Sequence, residues 1–412
     1  MTSRIRSRFP CLPPLAAAGI VLLAAASVRG QPAVDAAAVR ARVKAVDAAG
    51  ACVIDAAGVV REIVIPDGSA VTADDVAFFG TIGGLKTLRI ANCRSLNDEM
   101  VASLRGLGEL EALSLTNTAL TDAGVEAIAD AFPGLVDLDL SSNTNLTGGA
   151  MRSIAGLTKL RKLALVQTRF NDLNTRRLAK LVELRSLDLR GCMEAGDMTL
   201  AMAGGLPHLA ALKHRSSVVT DEGIAKLTAS RTLESLLAQD FAITSAAGTH
   251  LAGLPTLTSL EVFRCQGFGT AGVLALAGTK LDRLTLRDLP EVGDGALAVL
   301  RDLPRLRRLC RRAPHHPPRR VRGGRAAARG LQVLDIWSLP RMTDATVARI
   351  AALPELTELS IRETGVTEAA LPMILGIPGL ESLTFKNNGS LSAETAARVK
   401  AARTWRKLDL GS

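Results

Sequence analysis

Aliphatic residues recur along this chain in the order L-x-x-L-x-L at intervals of 24 or 25 residues. The first regular copy is Leu85, Leu88 and Ile90, and later copies begin at Leu110, Leu135, Leu160, Leu184, Leu209, Leu233, Leu257, Leu281, Leu306, Leu331, Leu356 and Leu380. One interval upstream, Val60, Ile63 and Ile65 make a divergent first copy. One interval downstream, Trp405, Leu408 and Leu410 make a last strand without a helix. The chain therefore reads as fourteen repeats and a stub, and a fixed period overrides the two or three globular domains that its length would suggest.

Counting each leading residue as position one, positions three to seven alternate as a short strand. Its even positions face inward and its odd positions face away from the core. In the repeat from Leu356, Val366 follows the strand, and Leu371, Ile374 and Ile377 then fall on one face of a helix. Between strand and helix stands a recurrent pair, as in Asn97-Asp98, Thr121-Asp122, Thr220-Asp221 and Thr343-Asp344. These side chains can accept the free N–H groups of the helix's first turn, so the acids read as caps rather than catalytic carboxylates.

L-x-x-L-x-L-x-x-(C/T/N) followed by (I/V/L)-T-D-x-G resembles the leucine-rich repeats of the cysteine-containing, ribonuclease-inhibitor-like type, over about residues 60 to 410. The resemblance implies an α/β solenoid, a curved horseshoe with a parallel β-sheet on its concave side and helices on its convex side. Ala51 to Ile65 resembles the hairpin that caps the N-terminal end in many exported bacterial members, and residues 31–59 are expected to form an N-terminal helix and that hairpin. A stack of repeats needs such an end, because its outermost layer is otherwise bare. Members of the family mostly bind other proteins, but the ligand does not transfer with the fold.

Composition agrees: 48% of residues are hydrophobic but only 3% aromatic, so thin aliphatic layers must fill the interior. The net charge of +10 invites a nucleic-acid reading. It resides in two short segments, with four arginines in residues 1–30 and seven in residues 310–330, neither holding an acid. Setting both aside leaves 39 basic against 40 acidic residues, which argues against nucleic acid as a partner.

Arg4, Arg6 and Arg8 precede the apolar run Leu15 to Ala26, and Val28 and Gly30 suit cleavage before Gln31. Residues 1–30 read as a signal peptide, which places the mature chain in the periplasm, on the cell surface or outside the cell. The run is short of the roughly 20 residues of a membrane span. An uncleaved anchor, the one route to a membrane, is the alternative.

The tract 310–330 keeps the length of a repeat but none of its pattern. A reading-frame error that is later corrected would do this, and the 39 Arg against 11 Lys fit a GC-rich gene. A basic loop for an anionic partner is the other reading.

Cys93, Cys192 and Cys265 share position nine, three or four repeats apart. Strands ~4.8 Å apart put even the nearer pair beyond disulfide reach, so they read as core thiols, and Cys52 in the hairpin is expected to be buried too. His214 falls at an inward position six, where a partly buried histidine or a locally shifted strand is expected. Asn145-Leu146-Thr147 and Asn388-Gly389-Ser390 match the glycosylation pattern, which the turns produce on their own. The sequence calls for no metal, cofactor or catalytic residue. The reading is a non-catalytic binding scaffold, or else a structural spacer or assembly element.

Most strands present small or mixed polar groups at positions three, five and seven, such as Ala112, Ser114 and Thr116. The run from Leu257 differs, presenting Phe263, Arg283, Arg287, Asp335, Trp337, Glu358 and Arg362 on the concave face. Phe263 and Trp337, both at position seven and three repeats apart, are expected roughly 14 Å from each other. That spacing suits a protein or extended-polymer ligand.

Overall fold

The computed structural model describes residues 35–309 and 330–411. Position alternation becomes strands because odd and even side chains leave opposite faces of a pleated chain. Among the described residues sixteen strands form one sheet in chain order. The first, β1 (Ala51–Ile54), runs antiparallel to β2 (Val60–Ile65), and the later neighbours are parallel and in register. Helical segments return the chain between strands on one side, so the expected α/β solenoid forms and its other sheet face is left open. Leu281 and Leu284 are fully buried and Leu286 nearly so, as positions one, four and six require.

Many helices begin where Thr or Asn accepts an N–H of the first turn; Thr121 accepts from Ala123 N and Asn97 from Met100 N. The following Asp does something else. Asp98 accepts from the Thr121 N–H at 2.9 Å and its hydroxyl at 2.5 Å, in the next repeat. Asp197 takes Thr220 in the same way, and Asp221 takes Thr244. These acids are straps between repeats, not caps of their own helices.

The strap explains the glycine of T-D-x-G. A Cβ at Gly124 would stand 2.2 Å from Asp98 Oδ1, and one at Gly223 would stand 2.3 Å from Asp197 Oδ1. Where that position holds Thr, its hydroxyl joins the strap instead: Thr199 Oγ1 donates to Asp172 at 2.6 Å.

Position nine supplies a donor to a carbonyl of the preceding repeat. Cys192 Sγ reaches Leu165 O at 3.2 Å, and Asn388 Nδ2 reaches Ile361 O at 2.7 Å. Cys93, Cys192 and Cys265 are buried and free, and burial pushes the Cys265 thiol up to about 12. Asn388 also accepts from Thr364, so its amide is engaged inside the fold and closed to a glycan, whereas Asn145 is exposed.

Both described ends are covered. Helix Ala36–Val46 buries Val39 and Val43 against the N-terminal hairpin. Cys52 in that hairpin is only half-buried, since β1 lies at the sheet's edge with one neighbour strand. At the far end Arg403 donates to the carbonyls of Leu375, Ile377 and Leu380, and Trp405 to that of Val399. Among the described residues no helix is long and apolar enough to cross a membrane. The expected signal segment, its expected cleavage site and the tract 310–329 lie outside the described residues.

Candidate interaction surface on the open face of the sheet

The repeat from Leu306 contributes a strand of two residues, Arg308–Leu309, between Arg283–Arg287 and Val333–Leu339. Three strands stand side by side at positions three and four. By position seven the outer two meet directly, with Arg287 paired to Trp337, and Gly293 then bridges to Arg341. The strap skips the repeat as well: Asp294 accepts from the Thr343 N–H at 2.8 Å, the Thr343 hydroxyl at 2.7 Å and the Thr346 hydroxyl. Burial works against ionisation of Asp294, but these bonds outweigh it and hold the carboxyl below its ordinary range. Arg341 adds an ion pair to Glu291 at 2.5 Å. The pattern lost from 310–330 suggests poor coupling across this joint, but the flanking repeats join each other there. Behind the sheet, the helical segments 294–302 and 344–350 are tied at their starts. Further along they line a groove of about 1010 Å³, with Leu297, Leu300 and Leu353 among its walls.

The joint reshapes the candidate site. Phe263 pairs with Arg287 and Arg287 with Trp337, so the two rings are two strands apart, not three. Their backbones therefore lie about 10 Å apart rather than 14. Guanidinium groups fill the row. Arg287 Cζ lies 4.1 Å from the Phe263 ring centre and 3.7 Å from that of Trp337. Arg264 lies 4.5 Å over Phe263, and Arg362 5.3 Å over Trp337. At these distances the ring faces attract the cations. Phe263 is consequently only 9% exposed and Trp337 half-buried, so neither is the bare ring that the alternation predicts.

The candidate cations differ in their partners. Arg362 is clasped by Asp335 at 2.8 Å, with side chains 18% and 14% exposed, and Glu358 meets Arg406 at 3.4 Å. Arg287 stands 3.7 Å from Asp288. The Arg283 side chain, at position three, makes no hydrogen bond or ion pair with a described residue, and its Nε is buried without an acceptor, as are Arg362 Nε and Ser360 Oγ. Thus the structure brings Phe263, Arg287, Trp337, Asp335 and Arg362 into one cluster, with Arg283 on its flank and Glu358 towards the last strand.

Three participants were not among the expected residues, two of them because the alternation rule does not reach them. Arg264 and Asp240 occupy position eight, where φ is 53° and 59°. Most repeats place a left-handed residue there, including Asn92, Asn117 and Asn387. That turn throws the side chain back beside position seven, so Asp240 pairs with both Arg215 and Arg264. A column rich in Asn, Asp and Gly was the available signal. Arg308, the third, sits at position three of the degenerate repeat, paired in register with Arg283.

His214 is fully buried in an unshifted strand, between Leu189 and Ala238. Its Nδ1 lies 3.1 Å from Leu189 O and its Nε2 2.8 Å from Ala195 O. Ser217, at position nine of this repeat, is exposed, and the imidazole takes over the carbonyl that position nine serves elsewhere. A neutral ring has one N–H for two carbonyls. Burial nevertheless dominates and holds the group below its ordinary 6.5, against the pull of those carbonyls and of Asp172 and Asp188. Below pH 6.5 the unfolded chain takes a proton that the folded one refuses, so stability falls as pH drops from 6.5 towards the lowered value. Thermal melting at pH 7.5 and 5.0 should show a larger acid loss for the wild type than for His214→Leu. Equal losses would remove His214 as the cause.

Among the described residues no group of acids, histidines and cysteines could hold a metal ion. Two stretches match family models described as leucine rich repeat, residues 108–170 and 253–277. An internalin structure from Listeria monocytogenes superposes with a TM-score of 0.51 at 17% identity, covering 86% of this chain and 96% of that one. The chain has the fold of a leucine-rich-repeat solenoid. A structure of the yeast Rad7 and Elc1 complex also matches, at 17% identity and a TM-score of 0.46, covering 75% of this chain and 78% of that one. Internalin C2 from L. monocytogenes matches at 23% identity and a TM-score of 0.36, over 49% of this chain and 81% of that one. No curated protein matches the solenoid in sequence.

Proposed function

We propose that the chain is an exported binding scaffold, without catalysis of its own, that takes a protein partner on the concave face of its C-terminal half. One observation carries this reading: the continuous row of Arg264, Phe263, Arg287, Trp337 and Arg362 on the open face. Aromatic and arginine side chains dominate the energetics of interfaces. Here they are preorganised by one another, which reduces the side-chain freedom a partner must freeze. Leucine-rich repeats commonly serve protein partners, and one of the similar structures is itself a complex of two proteins. Acids threaded through the row, Asp240, Asp288 and Asp335, weigh against a nucleic acid. The basic start and short apolar run of residues 1–30 support export.

A second reading, an envelope spacer that assembles side by side, is favoured by a different patch. Leu173 and Met198 open adjacent helices and are 58% and 50% exposed, and Val218 and Met193 beside them are 49% and 38% exposed.

Affinity capture from the native envelope followed by binding to variants separates the two. Arg287→Ala with Trp337→Ala should weaken the captured partner by about 2 kcal/mol or more, some thirtyfold. Ala112→Ser with Ser114→Ala should not. Equal binding by both folded variants would remove the C-terminal face as the site, and loss on Leu173→Ser with Met198→Ser would favour assembly.

A further inference from the structure

We propose that Arg283 and Arg308 form a clamp for one carboxylate of an acidic, extended segment of a partner protein, laid along the strands with the Arg287–Trp337 stack at its other end. This deepens the binding-scaffold reading and rests on it.

The two arginines are register partners on neighbouring strands, so their side chains leave the open face about 5 Å apart at their roots. Like charges placed directly opposite destabilise a sheet. Elsewhere on this face the repulsion is relieved from within: Asp240 stands between Arg215 and Arg264, Asp188 holds Arg190, and Asp335 holds Arg362. Between Arg283 and Arg308 no acid forms an ion pair; the charge that reaches Arg283 is that of Asp282, the residue before it in the chain. Neither arginine side chain makes a hydrogen bond or ion pair with a described residue, and Arg283 Nε is buried without an acceptor. A carboxylate bridging the two guanidiniums would supply the missing charge and accept from both forks.

The surroundings fix the shape of the ligand. Thr285 lies between Arg283 and Arg287 along the strand and is 3% exposed, so it forms a low floor between two long side chains. Positions three and seven are four residues apart, about 13 Å along the strand. A segment of four or five extended residues spans that distance, reaching the clamp with an acid and Arg287 and Trp337 with its other end. Glu261, Asp335 and Glu358 stand around this trough on neighbouring strands. Asp335 and Glu358 already hold Arg362 and Arg406, so the Arg283–Arg308 pair faces one anionic group, which suits an isolated carboxylate better than a phosphate chain.

The test uses the full solenoid and three fluorescein-labelled probes: a dodecapeptide of alternating Glu and Ser, its Gln-Ser counterpart, and a twelve-nucleotide oligothymidylate. The Glu-Ser peptide should bind at least about tenfold more tightly than Gln-Ser, and Arg283→Gln with Arg308→Gln should abolish that difference. Lys162→Gln, a cation at position three of a distant repeat, should leave it intact. The melting temperature of the double variant should hold or rise, because a repulsion has been removed; a structural role for the pair would lower it. Equal binding of the two peptides by the wild type, or an undiminished preference in the double variant, overturns the clamp. So does tighter binding of oligothymidylate through the same two residues. If Arg287→Ala with Trp337→Ala loses the peptides while the clamp variant keeps its preference, the clamp fails and the concave-face reading stands. If neither variant changes binding, both fail.

Discussion

Asn143→Ala is expected to destabilise the fold by about 3–5 kcal/mol, more than any surface substitution in the array. The side chain is fully buried and uses every bond it can make with backbone and hydroxyl. Its Oδ1 accepts from Thr118 N at 2.8 Å and Thr118 Oγ1 at 2.7 Å. Its Nδ2 donates to Leu115 O at 2.7 Å and Leu140 O at 3.0 Å, tying two adjacent strand ends together. Truncation strands all four partners where water does not reach, and each orphan costs about 1–3 kcal/mol before relaxation. Asn143→Asp should be no better, since it turns an acceptor towards the same carbonyls. Asn145→Ala, on the exposed turn two residues on, should stay within about 0.5 kcal/mol. Urea unfolding of the three variants decides it, and a cost below 1 kcal/mol for Asn143→Ala would mean that the ladder at position nine is dispensable.

Asp294→Ala should do something different in kind: divide one unfolding transition into two. A repeat array holds together through nearest-neighbour contacts, and its cooperativity is set by the weakest of them. At the joint around Arg308 the described residues pair at positions three and four and again at position seven. Asp294, with its three hydrogen bonds to Thr343 and Thr346, is the strap across that joint. Trp337 and Trp405, the two tryptophans of the chain, both lie on its C-terminal side, so fluorescence follows that side while far-ultraviolet dichroism follows the whole. The two signals should coincide in the wild type and in Asp197→Ala, which cuts an ordinary strap, and separate in Asp294→Ala. Coincident curves in Asp294→Ala would show that the remaining contacts suffice. Because the Asp294 carboxyl is held below its ordinary 3.8, its contribution is present above that pH and disappears as pH falls through the lowered value. The wild type should therefore come to resemble the variant in strong acid.

The architecture was readable from Leu, Ile and Val spacing because burial on a sheet face has a strict period of two and the repeat multiplies that signal thirteen-fold and more. The same rule placed Arg287, Asp335, Trp337 and Arg362 on one face, and the structure brings them together. It could not show that Arg264 turns back to join them, because that depends on a left-handed residue just past the strand, outside the alternation. Nor could it show that Trp337 pairs directly with Arg287, since counting repeats places those two residues two strands apart. His214 reads as an exception at an apolar position. Its reason lies in the exposed Ser217 three residues later and in a carbonyl one repeat back, and such three-body substitutions leave no periodic trace.

The strap from Asp to Thr is the same at joint after joint, whichever two repeats it links. Asp294 and Thr343 were separated by an intervening period in the chain, yet they fit as Asp197 and Thr220 do. At the six joints among the described residues where it occurs, the strap thus joins a matching plug and socket. A gene that gains or loses 24 or 25 codons keeps plug and socket in phase at the new junction, whereas a change of twelve leaves one of each unmatched. The number of repeats is accordingly free to drift between descendants without a new solution to folding at each step, and the breadth of the open face can change in units of one strand.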